Sequence, residues 1–381
     1  MAKKENIILF ANSYSPVLGG IQTVCSQIAK ESLKNEKFNL HIFTNKYPVD
    51  LKFIEMIEGV HVRRFLLGST TKPIKNLRSG FIQLCSFLIF PFTFIHLFIM
   101  FLKLKPNIVN VHFPVSQTRY IILLSYFFKF KLITSFHGHD VTTWTDDANK
   151  PYKGFFRNQK KLISISSYVT ACSNYLSRIV EKTYNLSNHS VKTVYNGVDL
   201  SRFENINITK KNQQYIFAFG RLETHKGFDI LIEAYSKIKN KKIHLFIAGE
   251  GSQLLELQNQ AKQLLILERV TFLGRLSAVE IASYSSKASI NIIPSRREPF
   301  GIVVLEAIAS GRPVLATNVG GIPEVFAKEF GLLVKPNDVI DLSNAINKIL
   351  NEMPEIEFEA IRTHVNRFTI EKMANNYFKY W

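Results

Sequence analysis

The chain has 381 residues, of which 46% are hydrophobic and 20% are charged. At about 150 residues per domain, this length allows two domains with ordinary cores and excludes a single small module. The composition, with 18 Gly and 13 Pro, excludes the collagen-like and disordered classes. The cysteines Cys25, Cys85 and Cys172 lie far apart in the sequence, so we expect no disulfide framework and no spaced metal cluster.

The charge of +18 indicates an anionic partner. Residues 1–200 contain 25 basic and 11 acidic side chains, whereas residues 201–381 contain 23 and 19, so the excess lies in the first half. Nucleic acid, anionic lipid and phosphorylated small molecules all fit this charge. The widely spaced cysteines and an amino terminus without a signal-peptide cleavage site predict a cytoplasmic protein.

Short apolar runs alternate with segments of helical spacing, and the alternation occurs twice. In the first half the predicted strands are 6–11, 39–44, 60–65, 107–112, 131–137, 168–172 and 191–195, with helices such as 21–33 and 175–184. After a polar stretch at 196–214, the predicted strands are 215–219, 243–248, 270–273, 290–293 and 314–317. This pattern predicts an α/β protein with two Rossmann-like domains that face each other across a cleft.

The apolar run 81–102 is long enough to span a bilayer, but Gln83, Pro91 and His96 interrupt it. We therefore expect a packed or interfacial helix. A second segment combines basic and aromatic side chains: Lys150, Lys153, Arg157, Lys160 and Lys161 with Tyr152, Phe155 and Phe156. Together the two segments predict reversible docking of the first domain on an anionic membrane face, although the second segment also reads as one solvated helix face.

Two carboxylates flank a predicted helix start near residue 300, in a helix that stops at Gly311. Glu298 precedes the start, and Glu306 lies about two turns into the helix. The first backbone N–H groups, at Gly301, Ile302 and Val303, can bind an anion. The pattern favours a phosphate site with carboxylates that hold sugar hydroxyls, but acidic surface residues near a helix start would look the same.

Other strand ends also carry polar residues or glycines. Arg221 and Lys226 follow the first strand of the second domain, where two cations suit a diphosphate, and the Gly19-Gly20 pair allows close approach to a phosphate. His137, in the sequence His-Gly-His-Asp, ends another strand. It could hydrogen-bond a sugar, or bind a metal. With no nearby cysteine and no Asp-x-Asp pair in the chain, we expect no metal site.

In their order and spacing, these residues resemble the family 4 glycosyltransferases, retaining enzymes of the GT-B architecture. The resemblance spans nearly the whole chain. The features that carry it are Gly19-Gly20, His137-Gly138, Asn196-Gly197-Val198-Asp199 with Phe203, Gly220-Arg221-Leu222 with Lys226-Gly227, Ala248-Gly249-Glu250-Gly251, Phe272-Leu273-Gly274, the Glu-x7-Glu element from Glu298 to Glu306, Gly311-Arg312-Pro313-Val314 and Gly320-Gly321-Ile322-Pro323-Glu324.

The resemblance implies roles for these residues in binding a nucleotide diphosphate sugar, with no further cofactor. Arg221 and Lys226 would neutralise the diphosphate, and Glu306 would hold the ribose hydroxyls. Glu298 would hold hydroxyls of the transferred sugar, helped by the N–H groups of residues 300–302, among them that of Phe300.

On the same basis Gly20 would approach the distal phosphate, and His137 would sit beside the transferred sugar. The loop at Arg275 would receive the base. The implied domains are an acceptor domain at 1–200, onto which a helix at 368–381 packs back, and a donor domain at 214–367.

The sequence thus predicts a retaining, membrane-associated glycosyltransferase of cell-surface polysaccharide or glycolipid synthesis, with a lipid-linked or saccharide acceptor. It would need no metal. The alternatives are another GT-B sugar-nucleotide enzyme, such as an epimerase or phosphorylase, and a basic nucleic-acid-binding protein. The last lacks a recognisable base-reading motif and leaves Glu298 and Glu306 without a role, so we expect no nucleic-acid partner.

Overall fold

The structure is a computed structural model, and it describes residues 4–17, 19–46, 48, 50–68, 77–141, 153–203, 215–352 and 356–381. In the helices that begin at residues 77 and 153, side chains are described from residues 88 and 156 onward. Two compact units make up the chain. The N-terminal unit comprises Met1–Gly197 and Ile370–Trp381, and the C-terminal unit comprises Val198–Thr369.

The N-terminal unit contains an eight-stranded sheet with the order β3-β4-β2-β1-β5-β6-β7-β8. Its strands are β1 (Glu5–Ala11), β2 (Phe38–Asn45), β3 (Ile54–Ile57), β4 (Val60–Phe65), β5 (Ile108–His112), β6 (Lys131–Phe136), β7 (Tyr168–Ala171) and β8 (Val191–Thr193). All neighbours pair in parallel except β3, which is antiparallel to β4. Helices on both faces therefore cover a sheet whose strands read as continuous apolar runs.

Successive residues of β1 alternate between two apolar cores. Ile7, Leu9 and Ala11 face one core, and Ile8 and Phe10 face the other; all five are fully buried. The helices of this unit are α1 (Gly20–Leu33), α2 (Leu77–Leu104), α3 (Thr118–Leu124), α4 (Lys153–Ser164), α5 (Asn174–Tyr184) and the C-terminal helix (Ile370–Phe378). The C-terminal helix packs against α1 and contributes to the first core.

Helix α2 extends beyond the predicted run 81–102 at both ends and contains Pro91. Its described part buries Leu97 and Phe101 completely, while Phe92 is 75% exposed. Within the described residues, no helix has both the length and the apolar composition needed to cross a membrane.

Within the predicted basic and aromatic cluster, Phe156 is only partly exposed. Phe156 stacks on Tyr184 with ring centroids 4.8 Å apart, because α4 turns this side chain inward. Arg157, Lys160 and Lys161 are exposed. The other members lie outside the described residues, as backbone or as side chain: Lys150, Tyr152, Lys153 and Phe155.

The C-terminal unit contains a six-stranded parallel sheet with the order β11-β10-β9-β12-β13-β14. Its strands are β9 (Tyr215–Phe219), β10 (His244–Ala248), β11 (Val270–Gly274), β12 (Ile290–Ile293), β13 (Val314–Thr317) and β14 (Gly331–Val334). Its helices are α6 (Phe228–Lys237), α7 (Leu254–Gln263), α8 (Ala278–Lys287), α9 (Ile302–Ala309), α10 (Ile322–Val325), α11 (Val339–Asn351) and α12 (Phe358–Val365). This strand order is that of the doubly wound nucleotide-binding fold.

The twelve predicted strands are confirmed, with ends that differ by two residues at most. Two strands were missed. β3 is a short antiparallel edge strand whose residues are only partly buried, so its apolar signal is weak. β14 has only four residues, beginning at Gly331.

Candidate functional site

The order of the C-terminal sheet reverses between the neighbouring strands β9 and β12. The loops that follow these strands, 220–227 and 294–301, leave from their carboxyl ends. Ligands of doubly wound sheets bind at this point, because the two loops diverge to opposite faces of the sheet. Most of the predicted site residues lie on these two loops or on the helix that follows the second.

Two glycines allow the loops at this edge to pack closely. Gly227 has φ +70°, and a Cβ atom there would overlap the carbonyl oxygen of Pro294. Gly320 has φ +58°, and a Cβ atom there would overlap the carbonyl oxygen of Glu298. Neither position accepts a larger residue without moving backbone. These glycines therefore serve loop packing, in addition to any approach to a ligand.

Packing of the loops brings Lys226 and Glu298 into direct contact. The Lys226 Nζ donates to the Glu298 Oε2 at 2.6 Å, and their side chains are only 14% and 11% exposed. The Lys226 backbone N–H donates to the Glu223 carbonyl at 2.8 Å, which fixes the turn. Arg221 is exposed on the same loop. The sequence placed Lys226 and Glu298 at one sheet edge but did not predict that they pair with each other.

Glu306 lies within α9 and contacts a cation that sequence reasoning missed. Its Oε1 lies 3.4 Å from the Nη1 of Arg202, whose Nε lies 3.2 Å from Asp199. Burial raises the pKa of Glu306 to about 7; Arg202 opposes this shift and Asp199 adds to it. Because Arg202 is 104 residues away in sequence, only its place beside Asp199 and Phe203 in the motif could have indicated it.

Helix α9 begins at Ile302, two residues after the predicted start, because Gly301 adopts φ +106° as the N-cap. The N–H groups of Ile302 and Val303 lie in the first turn, where a helix has no internal acceptors. The side chain of Phe300 is 2% exposed, so only its backbone can reach a ligand. The start of α9 therefore provides donors beside Glu298.

In the N-terminal unit, the predicted glycines lie at the start of α1, which begins at Gly20. A Cβ atom at Gly20 would meet no atom of the described residues within 4 Å, whereas one at Gly19 would meet the side chain of Gln22. That side chain donates to the Ser13 hydroxyl. Gly20 is thus the position with room for a ligand to approach, and Gly19 is packed.

His137 follows β6 and is held from two sides. Its Nε2 lies 2.9 Å from the Nδ1 of His112, the last residue of β5. Its backbone N–H and that of Gly138 donate to the Asp140 carboxylate at 3.1 and 2.7 Å. Burial lowers the pKa of His137 to about 4, so the imidazole is neutral at physiological pH. His112 was missed because it ends a buried apolar strand and reads as core.

Arg275 is exposed directly after β11, and His139 is exposed beside His137. Burial raises the pKa of Asp140 to about 7, although backbone N–H groups oppose the shift. Across the described ranges, no group of three His, Cys, Asp or Glu side chains is placed so that it could hold a metal ion.

Two family models match the chain, one for each half. The model described as Glycosyltransferase Family 4 matches residues 18–202, and the model described as Glycosyl transferases group 1 matches residues 201–360. An uncharacterized glycosyltransferase of Methanocaldococcus jannaschii is 31% identical over 52% of this chain and 57% of its own length. The O-antigen chain mannosyltransferase of Salmonella typhimurium is 28% identical over 62% of this chain and 65% of its own length.

Among solved structures, an Anabaena protein in complex with UDP superposes with a TM-score of 0.75. The superposition covers 98% of each chain at 20% identity. The same Anabaena protein has also been solved with UDP-glucose. Together with the family models, this likeness confirms the predicted GT-B fold.

The raised pKa of Glu306 predicts that Glu306→Gln stabilises the protein at high pH. In the folded protein the Glu306 carboxyl keeps its proton up to about pH 7, whereas in the unfolded chain it releases the proton near its ordinary pKa. The carboxyl's favourable contribution to the free energy of unfolding is therefore lost as the pH rises through 7. We expect Glu306→Gln to raise the free energy of unfolding by roughly 2 kcal/mol at pH 8 and by little at pH 5. Urea unfolding at both pH values measures this difference.

Glu298→Gln is the matched comparison, because it leaves the nearly buried Lys226 without its carboxylate. We expect a loss of about 1–3 kcal/mol at pH 8. A Glu306→Gln variant that is less stable than the wild type at pH 8 would contradict the prediction.

Proposed function

Because the chain belongs to the family 4 glycosyltransferases, we propose that it transfers a sugar from a nucleoside diphosphate sugar to a lipid-linked or saccharide acceptor, with retention of anomeric configuration. The Lys226–Glu298 pair beside the start of α9 carries this proposal, since it joins a cation for phosphate to a carboxylate for sugar hydroxyls. The setting is cell-surface polysaccharide or glycolipid synthesis. The O-antigen mannosyltransferase named above supports this setting.

The chemistry of the C-terminal unit suits a donor that leaves as a nucleoside diphosphate. Lys226 and the exposed Arg221 supply two positive charges at the end of β9, and α9 adds the N–H groups of its first turn. Lys226 contacts one carboxylate oxygen of Glu298, so the other oxygen can accept from a sugar hydroxyl. Glu306 would accept from the ribose hydroxyls.

The family resemblance assigns donor-binding roles to three further groups. Gly20 has open space in front of it for the distal phosphate. Arg275 would lie beside the base. The neutral ring of His137, held by His112, would contact the transferred sugar as an uncharged hydrogen-bonding group.

We also propose that transfer needs no metal ion. A departing diphosphate needs positive charge, and two side chains and a helix start provide it here. The chain has no Asp-x-Asp pair of the kind that binds a metal with a nucleotide diphosphate.

We propose that the protein docks on the cytoplasmic face of a membrane through an exposed apolar face of α2. Five of its apolar side chains recur every three or four residues along one face and are 40–75% exposed: Leu88, Phe92, Ile95, Ile99 and Leu102. Phe127, 63% exposed, adds to this surface through its contact with Phe98. The exposed basic residues Lys103, Lys105 and Lys129 lie close by in sequence. Apolar insertion with adjacent positive charge suits an anionic leaflet.

The donor site predicts a large loss of turnover in Lys226→Ala and Glu298→Ala. Losing a charge-assisted contact in a nearly dry site costs a few kcal/mol of barrier, or about 100- to 1,000-fold in kcat. The turnover is measured as transfer of radiolabelled sugar from UDP, GDP, ADP and dTDP sugars. Lys237→Ala is the control, since Lys237 pairs on the surface of α6 with Glu233 at 3.6 Å. If either variant folds and transfers sugar at nearly the wild-type rate, the assignment of the donor site is wrong.

For metal-independent transfer, we expect the wild-type rate to be unchanged by EDTA. The reason is that Arg221, Lys226 and the start of α9 compensate the leaving diphosphate. The same assay measures the transfer rate after the protein has been dialysed extensively against chelator. Activity that disappears with EDTA and returns with Mg²⁺ or Mn²⁺ would refute the proposal.

Docking through α2 predicts that Phe92→Asp weakens binding to phosphatidylglycerol vesicles at least tenfold without loss of folding. Vesicle sedimentation measures this binding. Binding should also fall as the salt concentration rises, because charges are screened over about 8 Å at physiological ionic strength. Leu255→Asp is the control, because Leu255 is equally exposed, at 74%, but lies in the C-terminal unit. Equal binding by both variants would reject this surface.

A further inference from the structure

Arg296, two residues before Glu298, uses every nitrogen of its guanidinium group. Nη1 and Nη2 donate to the two carboxylate oxygens of Asp229 at 2.6 Å each. Nη1 also donates to the carbonyl oxygen of Thr224 at 2.7 Å, and Nε donates to Asn337 at 2.6 Å. Such a bidentate fork fixes distance and orientation at once.

The partners of Arg296 lie on the loop that carries Lys226. Thr224 begins the short helical turn Thr224–Lys226, and Asp229 lies in the first turn of α6, three residues after Lys226. The backbone N–H groups of Arg296 and Arg297 both donate to the His225 carbonyl, at 2.8 and 3.2 Å. The loops after β9 and β12 are therefore tied together within three residues of the Lys226–Glu298 contact.

Asn337 extends the same connection to a third loop. It follows β14, adopts φ +58° and accepts the Nε–H of Arg296. One side chain thus connects the segments after β9, β12 and β14. Since loops are less constrained than strands, the spacing of Lys226 and Glu298 depends on such connections.

We propose that Arg296 is a positioning residue that sets the separation of Lys226 and Glu298, and with it the affinity for the donor's diphosphate. The proposal rests on the proposed function of this site. A lysine at position 296 places one point charge where the fork makes four hydrogen bonds, so it keeps the backbone bonds to His225 but cannot reproduce the side-chain connection. Small displacements of binding groups have large effects, up to about 100-fold for 1 Å.

The first test measures nucleotide affinity in Arg296→Gln, Arg296→Lys and Asp229→Asn. The probes are UDP, GDP, ADP and dTDP, titrated calorimetrically against the folded variants. For the nucleotide that the wild type binds most tightly, we expect each single variant to have an affinity about 10- to 100-fold lower. The double variant Arg296→Gln/Asp229→Asn should bind this nucleotide only slightly more weakly than the single variants. Glu233→Gln, which removes a surface ion pair of the same helix, should bind like the wild type.

The second test needs no ligand. Hydrogen exchange of the Lys226 and Gly227 amides should be faster in Arg296→Gln than in Glu233→Gln, with unchanged exchange in β9. Wild-type nucleotide affinity in Arg296→Lys, or unchanged exchange at Lys226 in Arg296→Gln, overturns the positioning role. A wild type that binds none of the four nucleotides overturns the proposed function instead, and the exchange measurement then decides the role of Arg296.

Discussion

The ion pair between Lys226 and Glu298 is the contact on which the candidate site depends. It joins loops from adjacent parallel strands, and it exists because the sheet order reverses between β9 and β12. A 2.6 Å contact between side chains that are nearly buried holds only if the backbone brings the loops close. Gly227 permits that approach, since it faces the carbonyl oxygen of Pro294 on the other loop, and Gly320, on the loop after β13, permits close packing against the backbone of Glu298. The charge chemistry of the site therefore depends on two positions without side chains.

The two glutamates of the Glu-x7-Glu element have different electrostatic environments. Glu298 contacts a lysine at hydrogen-bond distance, whereas Glu306 has a cation only at 3.4 Å, with Asp199 beyond it. Burial is then the dominant influence and raises the pKa of Glu306 to about 7. A buried carboxyl that is only partly compensated lowers stability when it ionises, and such arrangements recur where a ligand later supplies the missing hydrogen bonds. This environment supports the role proposed for Glu306, which is to accept hydrogen bonds from the ribose hydroxyls.

The sequence was sufficient for twelve of the fourteen strands in the described residues, because a parallel sheet covered on both faces requires continuous apolar runs. It also placed Lys226 and Glu298 at one sheet edge, since carboxyl ends of parallel strands share that edge. The contact of Arg202 with Glu306 was not predictable from spacing, because it spans 104 residues. Sequence analysis did not single out His112 because it ends β5, whose other residues are buried and, apart from Asn110, apolar. Helix α9 forms despite the poor intrinsic propensity of Ile302-Val303-Val304, since burial of Val304 and Leu305 outweighs it.

Both units share one strand order around their first strand, yet the residues at the two reversal points differ in charge. In the C-terminal unit the loops carry Arg221 and Lys226, the two cations of the proposed diphosphate site. In the N-terminal unit, β5 borders the reversal point and ends in His112, and the next strand, β6, is followed by His137 and Asp140. Both histidines are neutral because burial lowers their pKa values, and Asp140 accepts from backbone N–H groups. Neutral imidazoles can donate and accept hydrogen bonds without attracting phosphate. The described residues around His137 therefore contribute little to the net charge of +14 of residues 1–200. We propose that the exposed basic residues beside α2 and on α4 face an anionic surface instead.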